Sequence, residues 1–321
     1  MNDARARLLA HVRKLWPRWT LWPTAPFWLL VAFWAVQGKL RWEHLGLALL
    51  ATVLAYGSDW TRRLYLGILP IGLVGVLFDA MRTVKNVGLT QDNVHVCDVR
   101  AIDQRYFGLD LNGVRTTWHD YFQQHHTLWL DLYCAIPYAL FLGAVIVYSV
   151  YLFRRDYSSL QRFTWSFLAL NVAAFITYHV YPAAPPWYFH RYGCVVDLAT
   201  HASEGPALAR VDAWLGIPYF AEMYGRSSDV FGAVPSLHVG YPLMLLIDGF
   251  RRHRWPGRLL LVWFYLSMCF AAVYLDHHWV FDVVLGSVYA IVISMLVRLL
   301  FNARLGVALR PVSAHGAAKG V

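Results

Sequence analysis

A chain of 321 residues that is 58% hydrophobic and only 15% charged, with a mean hydropathy of +0.42, does not describe a soluble domain. The composition marks an all-α integral membrane protein. The formal charge of +9 suggests nucleic acid at first sight, but its placement between apolar stretches points to membrane orientation instead, so no nucleic-acid partner is expected.

A bilayer-spanning helix needs about 20 mostly apolar residues. Candidate spans lie near 24–38, 43–58, 63–80, 128–153, 163–181, 236–250, 258–275 and 279–301. That makes about eight. The first is short and the third carries Pro70 and Asp79, so six spans with re-entrant or interfacial pieces is the fallback count. No internal repeat is evident. Short loops rich in Lys and Arg stay in the cytoplasm. Arg5, Arg7, Arg13, Lys14 and Arg18 precede the first span, Arg62 and Arg63 follow the second, and Arg154, Arg155 and Arg162 separate the fourth and fifth. Arg251, Arg252, Arg254 and Arg258 divide the sixth from the seventh, and Arg304 and Arg310 follow the last. Both termini are therefore expected in the cytoplasm. The loops 82–127 and 182–235 and the turn 276–278 then fall on the extracytoplasmic side, periplasmic or luminal. The basic N-terminal stretch before an apolar run also resembles a secretory signal, but it lacks a clear small-residue cleavage site and is read as retained.

Between the third and fourth spans, Val94 to Phe122 mixes charged and apolar residues, as in VCDVRAIDQRYFG, and predicts an amphipathic surface helix capping the outer side. The proline-rich YPAAPPWY, Tyr181 to Tyr188, cannot continue a helix and should end the fifth span. Its aromatic rings suit either the headgroup layer or a substrate lining. Cys97 and Cys194 both fall in outer loops. A disulfide between them is one reading in an oxidising compartment, with two free thiols the favoured one; Cys134 and Cys269 read as ordinary core residues. There is no CxxC pair to support a zinc ribbon or redox motif.

Two polar islands carry the chemistry. GAVPSLHVG, Gly232 to Gly240, and LDHHWVFD, Leu275 to Asp282, each sit where an apolar run begins, on one predicted face. Ionisable groups at the mouth of a membrane helix cost desolvation energy without adding packing. His278 and Asp282 are four apart, a spacing that puts them on one helix face and lets the carboxylate hold one imidazole nitrogen while the other attacks phosphorus. The product of that attack is a phosphohistidine. His238 is placed to protonate the leaving alkoxide, a role worth about 10² to 10⁴ in rate. Ser236 reads as the N-cap of a helix whose free amides and dipole face an incoming phosphate. His277 contacts phosphate or merely faces the headgroups.

Blander readings stand beside these. A lone histidine at a helix end is commonly a hydrogen-bonded interfacial residue. Imidazoles with a carboxylate also suit zinc or manganese, but neither HExxH nor a further carboxylate cluster is present. Ser236 lacks the GxSxG setting of a nucleophile.

These motifs give the chain a resemblance to the type 2 phosphatidic acid phosphatase superfamily, whose second motif contains PSxH and whose third contains His-x-x-x-Asp. YPAAPPWY, FGAVPSLH, the doubled histidine of LDHHWVFD and the DAMR segment at Asp79 to Arg82 resemble its inositol phosphorylceramide synthase branch, the fungal aureobasidin targets and their bacterial relatives. The likeness covers roughly residues 75–300. It implies a six-helix core and a reaction without metal or other cofactor: His278 attacks, Asp282 orients it, and His238 protonates the departing group and then activates the acceptor. Accessory membrane helices would occupy residues 1–74, the catalytic domain 75–301 and a cytoplasmic tail 302–321. The superfamily's first motif is missing, and Ala271 and Ala272 stand where a Ser-Arg pair usually precedes the third. Arg226, Arg82 and Lys85 are the candidate replacements for that lost positive charge, each equally readable as a headgroup anchor. The expected function is transfer of a phosphoalcohol such as phosphoinositol from a phospholipid donor to a lipid hydroxyl acceptor such as ceramide. The alternatives are a lipid phosphate or diphosphate phosphatase, with water as acceptor, and a non-enzymatic scaffold or transporter.

Overall fold

The computed structural model describes residues 2–17, 22–85, 87–200, 207–225 and 230–308. Each apolar stretch is helical. A basic helix, α1 (Asn2–Leu15), precedes a short 3₁₀ turn and two apolar helices, α2 (Ala25–Val36) and α3 (Trp42–Tyr56). These pack on α4 (Asp59–Val84) through Phe27, Val31, Ala48, Ala51, Ala55 and Tyr65. Pro70 is accommodated inside α4, and the acid and hydroxyl of Asp59 and Ser58 start that helix well before the predicted residue 63. Ser58 caps it by accepting from the Thr61 amide, 3.2 Å away.

The outer segment between α4 and the next long helix differs from the single amphipathic helix expected over 94–122. It forms α5 (Cys97–Phe107), a hairpin of β1 (Leu109–Leu111) and β2 (Val114–Thr116), and α6 (Trp118–Gln124). The interruption is chemical. Asn112 and Gly113 both have positive φ, 51° and 79°, the two-residue turn that Asn-Gly favours because it matches strand twist. At Gly108 a Cβ would sit 2.2 Å from the Gln104 carbonyl oxygen, so only glycine lets the chain leave the helix so tightly.

Helices α7 (Leu128–Arg155) and α8 (Tyr157–Val180) follow as an antiparallel pair, with Asp156 capping α8. Three short outer helices come next, α9 (Pro186–Tyr192), α10 (Leu208–Leu215) and α11 (Tyr219–Gly225), and then α12 (Leu237–Gly249), α13 (Trp255–Tyr274) and α14 (Val280–Ala308). Among the described residues five helices, α4, α7, α8, α13 and α14, are long and apolar enough to cross a membrane. Helix α12 is not: at 13 residues it is about 20 Å long. It is instead the most enclosed element, with Val239 to Leu245 buried against its neighbours. Tyr148, Leu152, Phe163, Phe167, Tyr241, Met244 and Phe264 form the shared core of α7, α8, α12 and α13. With α4 and α14 these make the six-helix core that the family resemblance implies.

Cys97 and Cys194 are joined in a disulfide, so the favoured reading of two free thiols is corrected: the fold brings residues 97 apart in sequence to a Cα separation of 5.5 Å, within bonding range. His95, Ala183 and Gly232 add parallel bridges between three loop segments on the same side. The YPAAPPWY segment does end α8, at Val180.

Candidate active site

The two polar islands meet. Ser236 caps α12, its hydroxyl accepting from the Val239 amide at 3.4 Å, and its own amide donates to the Asp282 carbonyl at 3.1 Å. The start of α12 therefore lies against the first turn of α14. Gly286 makes that approach feasible, since a Cβ there would stand 2.3 Å from the Ser236 carbonyl oxygen. His238 projects from the first turn of α12, and His278 sits in the turn just before α14. Their facing nitrogens, Nδ1 of His238 and Nε2 of His278, are 2.9 Å apart.

The proton positions follow from the neighbours. Nδ1 of His278 lies 3.0 Å from the Ala233 carbonyl oxygen, which only accepts, so Nδ1 carries the hydrogen. Burial pushes the His278 imidazole down to about 4, the Ala233 hydrogen bond opposing it, so the ring is neutral near pH 7 and its Nε2 holds a lone pair. His238 then donates from Nδ1 to that lone pair. Its own Nε2 faces the Tyr224 hydroxyl at 3.4 Å.

Asp282 differs from the sequence reading in detail. It is fully buried, but its carboxylate stands 3.5 Å from His278 Nδ1 and accepts from the Trp279 amide at 3.0 Å. The Ala233 carbonyl holds the imidazole more closely than the aspartate does. His278 precedes α14 and does not share that helix with Asp282, which is why the four-residue spacing gives proximity without a close hydrogen bond. His277 is turned into aromatic rings, 4.8 Å from Tyr224 and 4.9 Å from Tyr138 between centroids, and its Nε2 is buried without a hydrogen-bond partner. Burial, with the neighbouring His238 and His278, holds its pKa well below the usual imidazole value.

A cavity of about 690 Å³ opens from the histidine pair. Tyr224, Gly232, His238 and His278 form one end, and α4 and α8 supply an apolar wall that includes Val74, Phe78, Phe167 and Phe175. No Lys or Arg among the described residues lines it. Arg82 pairs with Asp79 at 3.2 Å, in a cluster that includes Arg41 and His44. Lys85 lines a much smaller neighbouring pocket with Tyr178, His179 and Phe231. Arg226 lies outside the described residues. Nor do Tyr181 to Tyr188 line the cavity. Instead, the Ala184 carbonyl accepts from the Trp279 indole at 2.9 Å and the Trp187 amide donates to the Asp276 carbonyl, so the proline-rich segment supports the LDHHWVFD turn.

A polar network absent from the sequence reading supports the same turn. His119 donates from Nε2 to the His278 carbonyl at 2.8 Å, and Asp103 accepts from the Phe281 amide at 2.9 Å. Asp276, at φ 65°, accepts from Gln123 at 2.9 Å and from His190 Nδ1 at 2.7 Å. The other His190 nitrogen meets Asp120 at 3.0 Å. Burial alone would lower the His190 pKa, but two carboxylate hydrogen bonds outweigh it and lift it to about 9. Burial opposes ionisation of Asp120 too, yet hydrogen bonds from His190, Thr117 and Thr116 hold its carboxyl far below the usual range. The only signals in the sequence were the alternating charges of α5 and α6. Nothing in the linear pattern assigns them partners more than 60 residues away.

A family model described as PAP2 superfamily matches residues 109–296, which hold both islands and the histidine pair. The chain belongs to the PAP2 superfamily. It is therefore an enzyme, and a membrane one. Among curated relatives, a phosphoinositol dihydroceramide synthase of Bacteroides thetaiotaomicron is 33% identical over 249 residues, covering 77% of this chain and 81% of that one. The catalytic subunit of inositol phosphorylceramide synthase from Schizosaccharomyces pombe is 26% identical over 259 residues, covering 78% and 57% respectively. Its Saccharomyces cerevisiae counterpart is 33% identical over 197 residues, covering 60% and 47%. The chain thus spans most of the bacterial relative and about half of the fungal ones. No solved structure matches it.

Proposed function

We propose that this PAP2 enzyme moves a phosphoalcohol headgroup, phosphoinositol or a close analogue, from a glycerophospholipid to the hydroxyl of a ceramide-like lipid through a phosphohistidine. The observation that carries this reading is the 2.9 Å contact between His238 and His278 at the end of a large apolar cavity. Two imidazoles so close can flank one phosphorus centre, and an apolar chamber suits a lipid better than a water-soluble phosphate.

In the proposed reaction the phosphodiester enters between the rings and parts their direct hydrogen bond, which frees the Nε2 lone pair of His278, and its anionic charge favours the doubly protonated form of His238. Nε2 of His278 forms a bond to phosphorus as the bond to the diacylglycerol oxygen breaks, and His238 gives its proton to that oxygen. The positive charge left on the phosphorylated ring is shared with Nδ1, beside the Ala233 carbonyl and the Asp282 carboxylate. The acceptor hydroxyl then loses its proton to neutral His238 and attacks phosphorus, which frees His278. Proton and electron pairs balance over the two steps. With no Lys or Arg on the described wall, the amides at the start of α12 are the donors for the phosphoryl oxygens. The names of the relatives support the headgroup and acceptor class. The basic clusters support cytoplasmic termini and an extracytoplasmic site, with the helix-hairpin-helix of α5 to α6 as its outer cap.

The test is purified protein with head-labelled phosphatidylinositol, with and without ceramide, in chelator. Transfer predicts a labelled sphingolipid and stoichiometric diacylglycerol only when ceramide is present. Release of free inositol phosphate or phosphate without acceptor would establish the hydrolytic alternative. Loss of all turnover in chelator would overturn the metal-free scheme.

A further inference from the structure

A second cavity, of about 290 Å³, lies at the opposite end of the helix bundle. Along α14 it is reached at Arg298, 16 residues after Asp282 and thus about 24 Å away along the axis. Arg162 from α8, Arg251 and Arg252 after α12, and Arg298 from α14 line it with a single carboxylate, Asp248. That carboxylate is already committed: Arg162 reaches one oxygen at 3.1 Å, while Arg252 and the Tyr148 hydroxyl take the other at 3.0 Å and 2.7 Å. Arg252 also binds Asp156 at 2.9 Å. Two acids therefore serve four guanidinium groups. Arg251 and Arg298 have neither a carboxylate nor a hydrogen-bond partner among the described residues. Ser166 lines the same cavity, is only 4% exposed, and its hydroxyl likewise has no partner among the described residues.

We infer that this cavity binds the phosphate of an anionic phospholipid headgroup or, with the same chemistry, a soluble phosphate. Arginine forks match phosphate oxygens with paired N–H donors, and the buried Ser166 hydroxyl adds one directional donor. The ordinary explanation for basic residues at a helix end is orientation by charge alone, and it asks only that arginines be present. It accounts neither for their convergence from three chain segments on a concave pocket nor for a buried hydroxyl left open towards it. A basic pocket between membrane helices is the recognised setting for an anionic headgroup. A phosphodiester's one negative charge offsets one of the two arginines that the protein leaves unmatched, and a phosphate dianion offsets both. Because the site lies away from the histidine pair, it acts by stabilising the bundle and not by taking part in the reaction.

The experiment uses the full chain in detergent and follows thermal unfolding while phosphatidylglycerol, phosphatidylcholine or inorganic phosphate is added. Phosphatidylglycerol should raise the midpoint at concentrations where phosphatidylcholine does not, and Arg251→Gln with Arg298→Gln should weaken that response about tenfold or more. Ser166→Ala should weaken it severalfold with no change of charge. Both variants should retain basal transfer activity, which confirms that they fold. A midpoint shift with inorganic phosphate equal to that with the lipid assigns the site to a soluble anion; a lipid-only shift assigns it to the membrane. Equal responses to the two lipids, no response to any of the three, or a phosphatidylglycerol response untouched by the substitutions overturns the inference.

Discussion

In the proposed reaction, two rings whose facing nitrogens are 2.9 Å apart divide the labour through hydrogen positions that their neighbours impose. His278→Ala removes the nitrogen proposed to attack, so turnover in the labelled-lipid assay should fall by about 10³-fold or more. His238→Ala should cost about 10² to 10⁴, with the first step less affected for a donor carrying a good leaving group that needs no proton. Asp282→Asn should be milder than either. The Ala233 carbonyl, which no side-chain substitution removes, still fixes the His278 tautomer. A loss with Asp282→Asn equal to that of His278→Ala would show that the carboxylate, and not the carbonyl, sets the ring. Gly286→Ala tests the approach of α14 to α12. Its Cβ would fall 2.3 Å from the Ser236 carbonyl oxygen, so the histidine pair should separate and activity should drop at least tenfold with secondary structure unchanged by circular dichroism.

Among the elements, the outer helices act as a clamp on the LDHHWVFD turn. α5 holds the Phe281 amide through Asp103, α6 holds the His278 carbonyl through His119, and α9 holds Asp276 through His190. The clamp is pH-sensitive in a definite sense. His190 is raised from about 6.5 to about 9, so its stabilising contribution is complete below about pH 6.5 and is lost as pH rises through about 9. Asp120 is depressed, so its contribution is present above about pH 4, the ordinary carboxylate range, and fades only as pH falls through its lowered value. Hydrogen exchange at residues 275–282, taken relative to the intrinsic base-catalysed rate at each pH, should therefore quicken between pH 7 and 9.5. In His190→Gln that acceleration should vanish, with exchange already fast at pH 7. Unchanged exchange across that range in the unsubstituted protein would remove His190 from the clamp. The Val94 to Phe122 stretch looked like one amphipathic helix because its charge alternation is helical at both ends. The Asn112–Gly113 turn between them is a local signal that the periodicity concealed.

For the whole molecule, a bundle of five long helices encloses the short α12, and two segments at its histidine end are tied by one covalent link. The Cys97–Cys194 disulfide closes a loop of nearly a hundred residues that contains α5 to α9, so it restricts the unfolded chain strongly. On the loop-entropy account, its loss costs about 2 to 5 kcal/mol. Reduction, or Cys97→Ser with Cys194→Ser, should lower the thermal midpoint by several degrees. Activity below the midpoint should fall less than in the Gly286→Ala variant, because the bridge anchors the start of α5 and does not touch the histidines. An unchanged midpoint would mean that the linked segments are held fully by packing.

Composition, apolar run length and the two islands were enough to place an all-α membrane protein, most of its helices and a pair of histidines to watch, and the family resemblance of the islands pointed to an enzyme. These are local properties: hydrophobicity is summed along the chain, and Pro235, Ser236 and His238 or His278 and Asp282 are near neighbours in sequence. Only the tertiary structure decided what depends on approach across long separations. It brought Nδ1 of one ring onto Nε2 of the other, gave Ala233 the closer hold on His278, and turned His277 into Tyr138 and Tyr224. It also brought Arg41 and His44 to Asp79, paired Cys97 with Cys194, and drew His119 and His190 beneath the turn that carries His278. Hydrogen bonds and disulfides act over a few ångströms, and a linear pattern holds no record of which distant groups the folded backbone will place that close.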